Sequence, residues 1–208
     1  MGHWIELDTT HGAVDAWRSD PTGPSRGALV VVQEIFGVNA HIRGVVDRFA
    51  TAGFVAVAPA LFDPVERGVA LDYDERGVAK GRELAAALGF ERAVALVDAA
   101  AAELLDLEGL RTGAVGFCWG GTIAFLANTR LGLPAVSYYG GRTVPFLDEA
   151  IRAPMLFHFG EHDPIITMDA VAAHRSKQPA ATIHVYPAGH GFNCEARADF
   201  APESAALA

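Results

Sequence analysis

The stretch Ala114-Val115-Gly116-Phe117-Cys118-Trp119-Gly120-Gly121-Thr122-Ile123-Ala124-Phe125 decides the fold. It reads as a buried strand, a tight glycine-rich turn and an apolar helix, with a cysteine at the apex of a G-x-C-x-G pattern. Such a turn holds its central residue in a strained conformation, and Gly116 and Gly120 let strand and helix pass without clashing Cβ atoms. Cys118 then projects over the start of a helix, where the dipole and the free N–H groups favour a thiolate and an oxyanion. Two readings stand at this point. Cysteine is among the most often buried residue types, and a strand–glycine–helix turn can simply mark a βα unit. The glycines Gly116, Gly120 and Gly121 give G-x-x-x-G-G, which is not the dinucleotide fingerprint G-x-G-x-x-G.

Outward from this stretch, strands and helices alternate. Residues 4–7 and 13–17 alternate apolar and polar around His11-Gly12, the pattern of an antiparallel hairpin at a sheet edge. Residues 28–32, 54–59, 135–140, 155–160 and 182–186 read as strands, the first two as continuous apolar runs covered on both faces. Residues 39–52 carry helical spacing (Ile42, Val45, Val46, Phe49), with Asn39 as N-cap and Gly53 at the end. Residues 63–81, polar and rich in charge and glycine, read as an ordered surface excursion. Helices are expected near residues 82–88, over 91–107 with Val94, Val97, Ala101, Leu104 and Leu105 on one face, and over 166–176. Residues 201–208 look like the start of a helix, with the remainder expected to be missing or disordered. The fold class is therefore α/β, a mainly parallel sheet with helices on both faces, in one domain over residues 1–208.

Composition narrows the function. The chain has 208 residues, 51% apolar and 20% charged, and a formal net charge of -9. That balance excludes nucleic acid and anionic membrane surfaces as natural partners. The N-terminus shows neither a basic start nor an apolar run, and no apolar stretch approaches a membrane span, so a cytoplasmic protein is expected. Two cysteines 76 positions apart (194 − 118) form no metal-binding spacing and no disulfide framework. A monomer or weak homodimer is expected.

In open parallel sheets, ligands and catalytic groups collect beyond the C-terminal ends of the strands. Four residues fall there: Glu34, Cys118, Asp163 in Gly160-Glu161-His162-Asp163-Pro164, and His190 in Gly189-His190-Gly191-Phe192. The chain order Cys, Asp, His is that of α/β-hydrolases. A thiol is mostly protonated at neutral pH, so a base must take its proton, and His190 is the natural base and later acid. Asp163 would fix the imidazole tautomer and stabilise the imidazolium. The backbone N–H groups of Trp119 and Ile35 would form the oxyanion hole.

The segment Gln33-Glu34-Ile35-Phe36-Gly37-Val38-Asn39, the Cys118 turn, Phe157-His158-Phe159-Gly160-Glu161-His162-Asp163 and Gly189-His190-Gly191-Phe192 closely resemble dienelactone hydrolases (carboxymethylenebutenolidases). The resemblance spans roughly residues 4–200. It implies an α/β-hydrolase fold, no cofactor, a Cys118–Asp163–His190 triad and a small ester or lactone as substrate. It also implies that Glu34 pairs with the thiol at rest and helps deprotonate it when substrate arrives. In relatives, arginines bind the substrate carboxylate, one of them four residues after the catalytic histidine; that position here is Cys194. Arg197 is the nearest arginine, and Arg76 and Arg82 are the other candidates, with Tyr138, Tyr139 and Trp119 as pocket-lining aromatics. Two further readings compete: a catalytically silent relative that binds a ligand, and a redox-sensing thiol protein with Cys118 and Cys194 as partners.

Overall fold

Apolar runs become strands where the sequence places them, and the order of pairing decides where their ends converge. The structure, a computed structural model, describes residues 2–208, and for residues 106–108 the backbone alone. The described residues pack as two compact units, one ending at Ala114 and the other running Val115–Ala208.

In the first unit, β1 (His3–Leu7) and β2 (Val14–Ser19) form the expected antiparallel hairpin, Trp4 opposite Trp17. The strand order continues β1-β2-β4-β3. β3 (Ala28–Val32) pairs in parallel with β4 (Val55–Pro59), Leu29 opposite Ala56, and β4 is antiparallel to β2. Every residue of β4 is buried, as its unbroken apolar run requires. Helix α1 (Ala40–Thr51) crosses between β3 and β4. Its N-cap is Asn39, whose side chain accepts the Ile42 N–H at 3.2 Å and so satisfies one orphan donor. Ile42, Val45 and Val46 are buried.

Helix α2 (Glu75–Glu108) departs from the expected pattern. It starts inside the stretch read as a surface excursion. Two glycines, Gly77 and Gly81, lower helix propensity there by about 1 kcal/mol each. Asp74 offsets part of that as N-cap, accepting the Gly77 N–H at 2.7 Å. Packing supplies the rest: a Cβ at Gly81 would overlap the carbonyl of Ile35, so the glycine permits an approach that a larger residue would block. At Gly89 (φ 75°, ψ 163°) the helical path breaks, which gives the two helices expected on either side. Val94, Val97, Ala101 and Leu104 are buried, but Leu105, four residues after Ala101 and at the rim of that face, is 56% exposed.

The second unit carries β5-β6-β7-β8 in that order. β5 (Thr112–Phe117), into which the chain passes from the first unit, is followed by α3 (Trp119–Leu131), β6 (Ala135–Tyr138), β7 (Met155–Gly160), α4 (Met168–Lys177), β8 (Thr182–Tyr186) and α5 (Pro202–Leu207). β6, β7 and β8 pair in parallel, Tyr138 beside His158 and His158 beside His184. α3 packs on β6 and is buried from Trp119 to Thr129, so it is covered all round rather than exposing one polar face. Each fully buried side chain such as Phe125 contributes about 1.5–3 kcal/mol by leaving water. Among the described residues no helix is long and apolar enough to cross a membrane.

Candidate active site

β5 ends at Phe117 and α3 begins at Trp119, leaving Cys118 alone at the turn with φ 54° and ψ -119°. A side-chain-bearing residue at positive φ costs on the order of 1–3 kcal/mol, and surrounding contacts must hold it. They are the Cys118 N–H donated to the Tyr138 carbonyl at 3.0 Å and the Gly121 N–H donated to the Cys118 carbonyl at 2.9 Å. A Cβ at Gly116 would overlap the Gly120 carbonyl, so that crossing needs glycine. Cys118 is half-buried and occupies the N-cap position of α3, whose first turn contains no acid. The α3 dipole therefore acts at the Cys118 turn with no acid in that first turn to oppose it.

Asp163 sits in the turn after β7 and is buried. One of its oxygens, Oδ1, accepts the N–H groups of Ile165 (2.7 Å) and Ile166 (3.1 Å). The other, Oδ2, lies 2.7 Å from Nδ1 of His190. His190 is buried on the loop after β8, with the edge of Tyr139 against its ring at 5.2 Å. Its Nε2 stands 3.2 Å from Sγ of Cys118. One imidazole thus bridges a carboxylate and a sulfur. Burial alone lowers the pKa of His190, but the hydrogen bonds to Asp163 and Cys118, and the charges behind them, reverse that and raise it to about 10. An imidazole so placed holds its proton at neutral pH and can deliver it from Nε2.

Glu34 and Ile35 belong to the first unit. They follow β3 in a turn that the segment before α2 straps in place: Gly37 bridges Ala70, and the Leu71 N–H donates to the Phe36 carbonyl at 2.8 Å. Glu34 is fully buried, and the hydroxyl of Tyr73 donates to its Oε2 at 3.0 Å. Nothing in the sequence marked Tyr73, because it lies in a polar stretch without periodicity and its partner is 39 positions away.

The other candidates scatter. Arg76 is exposed on the first turn of α2. Arg82, also exposed, lines a shallow groove of about 590 Å³ with Tyr73, Asp74, Glu75, Val78 and Ala79. Arg197 is half-buried with its guanidinium against Gly191, the residue after His190, where φ is 79°. Tyr138 stacks between Phe117 (4.9 Å) and His158 (4.5 Å), and its hydroxyl donates to the Ala208 carbonyl at 2.8 Å. Its neighbour Tyr139, at positive φ, is the tyrosine that touches His190. Both cysteines are free thiols; Cys194 is fully buried, its N–H donated to the Gly191 carbonyl.

Known proteins share this arrangement of elements. The chain is 33% identical over 190 residues to a carboxymethylenebutenolidase of Pseudomonas putida, covering 86% of this chain and 80% of that one. It is 32% identical over 193 residues to carboxymethylenebutenolidase 1 of Cupriavidus pinatubonensis, covering 87% and 81%. Its fold matches the crystal structure of a candidate dienelactone hydrolase from Klebsiella pneumoniae with a TM-score of 0.87 at 28% identity, over 100% of this chain and 94% of that one. The family model for dienelactone hydrolases matches residues 14–208, from β2 to the last residue. The chain belongs to the dienelactone hydrolase family and is a hydrolase of the α/β class.

Proposed function

We propose that this hydrolase opens small esters or lactones through a cysteine nucleophile, with Cys118, His190 and Asp163 acting as one unit. The observation that carries the reading is the bridging imidazole: Nδ1 at 2.7 Å from Asp163 and Nε2 at 3.2 Å from a sulfur held at positive φ. In the first step Glu34, in its proposed role, takes the proton of the Cys118 thiol as substrate arrives; the sulfur attacks the ester carbonyl carbon, and the carbonyl oxygen takes the electron pair. The amide of Trp119 opens α3 and supports that oxyanion; the amide of Ile35 is its proposed partner. The tetrahedral adduct collapses to a thioester as the C–O bond breaks. His190 gives its Nε2 proton to the leaving oxygen, which in a lactone stays tethered to the acyl group. Neutral again, His190 takes a proton from water, the hydroxide attacks the thioester, and the departing sulfur takes back its proton from Glu34 as the acid is released. Asp163 holds the Nδ1 proton throughout, so a single tautomer faces the sulfur.

The relatives' names point to butenolides bearing a carboxylate as the first substrates to try. Arg197, packed beside the His190 loop, is the proposed anchor for that carboxylate, and Glu34 is the proposed fourth participant, as in the family pattern. The decisive experiment is a panel of lactones and aryl esters assayed with wild type and Cys118→Ala. Loss of roughly 10³-fold or more in kcat, with the folded structure retained, is expected for the variant. Near-normal turnover by Cys118→Ala would remove the nucleophile, and no turnover of any ester by wild type would leave a ligand-binding relative.

A further inference from the structure

We infer that Tyr73 is a positioning residue that holds the Glu34 carboxylate in its working orientation; the inference rests on the proposed role of Glu34. Three observations place it there. The Tyr73 hydroxyl donates to Glu34 Oε2 at 3.0 Å, and Glu34 is fully buried, so the bond forms in a low-dielectric setting where hydrogen bonds to charged groups are strongest. The Tyr73 ring packs on Phe36 with centroids 4.5 Å apart, which limits the hydroxyl to one side of the Glu34 turn. The backbone is fixed around this pair as well, through the Gly37–Ala70 bridge and the Leu71 to Phe36 hydrogen bond. A carboxylate at the end of a strand has free χ angles unless something holds it. Here a rigid aromatic side chain, anchored two residues beyond a backbone hydrogen bond, supplies the donor.

The same ring forms part of the wall of the groove that contains Arg82. Tyr73 therefore joins the surface of α2's first turns to a carboxylate that solvent does not reach. A proton-transfer group misplaced by even an ångström loses rate, so the hydroxyl contributes to kcat through Glu34 and not through direct contact with substrate.

The test is a double-mutant cycle of Tyr73→Phe and Glu34→Gln, with kcat and KM measured for one lactone. Tyr73→Phe keeps the ring on Phe36 and removes only the donor. It is expected to lower kcat about tenfold in the wild-type background, the loss of one hydrogen bond to a charged group, with little change in KM. In the Glu34→Gln background the same change is expected to cost nothing further, because there is no working carboxylate left to place. A purely structural role would lower both backgrounds by the same factor. That result, or no effect of Tyr73→Phe in either, overturns the positioning role while leaving Glu34's own role intact. If Glu34→Gln turns over like wild type, the reading of Glu34 fails first and the role of Tyr73 fails with it.

Discussion

Both carboxylate oxygens of Asp163 are engaged, one by two backbone amides and one by His190, so the side chain is held in a single orientation. That geometry makes a prediction about pH as well as rate. The folded pKa of His190 is raised to about 10, above its ordinary value near 6.5. A group raised in this way adds stability that is fully present below the unfolded pKa and is lost as pH rises through the folded one. Asp163→Asn removes the charge but keeps an oxygen for the two amides. The stability advantage of wild type over Asp163→Asn should therefore be largest at about pH 6 and shrink toward about pH 10. Urea midpoints of the two proteins across that range read it directly. A constant difference would mean that the carboxylate stabilises the turn and not the imidazolium.

At the scale of elements, α2 shows what a sequence reveals and what it hides. The break at Gly89 was legible, because two helical patterns flank it and glycine alone tolerates φ 75° with ψ 163° at little cost. If α2 were continuous there, Gly89→Ala would stabilise the protein by up to about 1 kcal/mol through helix propensity. With the observed break, the same substitution should destabilise it by about 1–3 kcal/mol, and chemical denaturation distinguishes the signs. The first turns of α2 were not legible. Gly77 and Gly81 and a run of charges look like loop, and the reason they form helix is the Asp74 cap and the close pass over the Ile35 carbonyl. The inner strands could be read because burial on both faces writes itself as an apolar run, and Cys118, Asp163 and His190 because each follows a stretch of strand character. Tyr73 leaves no such trace: its significance is a single contact with Glu34, and spacing carries no record of it.

Across the whole molecule, the buried histidines govern behaviour in acid, and they act in the opposite sense to His190. His158 lies on β7 with its Nδ1 2.7 Å from the Tyr186 hydroxyl, its ring stacked on Tyr138 and 5.7 Å from His184. Burial, with a smaller push from His184, lowers its pKa to about 4. His174, buried between the Ala170 carbonyl and the Thr143 hydroxyl, is lowered too, again chiefly by burial. For each of these residues the unfolded chain binds the proton more readily than the folded one. Their contribution is present above the unfolded pKa near 6.5 and is lost as pH falls, for His158 through about 4. Glu149, held low by its hydrogen bond to Arg130, adds a loss in the same direction once it is protonated. The protein should therefore lose stability in acid well before its carboxylates are largely neutralised. His158→Gln keeps a partner for the Tyr186 hydroxyl and cannot take up a charge. Its denaturant midpoint should vary less between pH 6.5 and 4 than that of wild type, even if it is lower at neutral pH. Parallel curves for the two proteins over that range would show that His158 is not the group titrating, and would transfer the acid limb to His174 and the carboxylates.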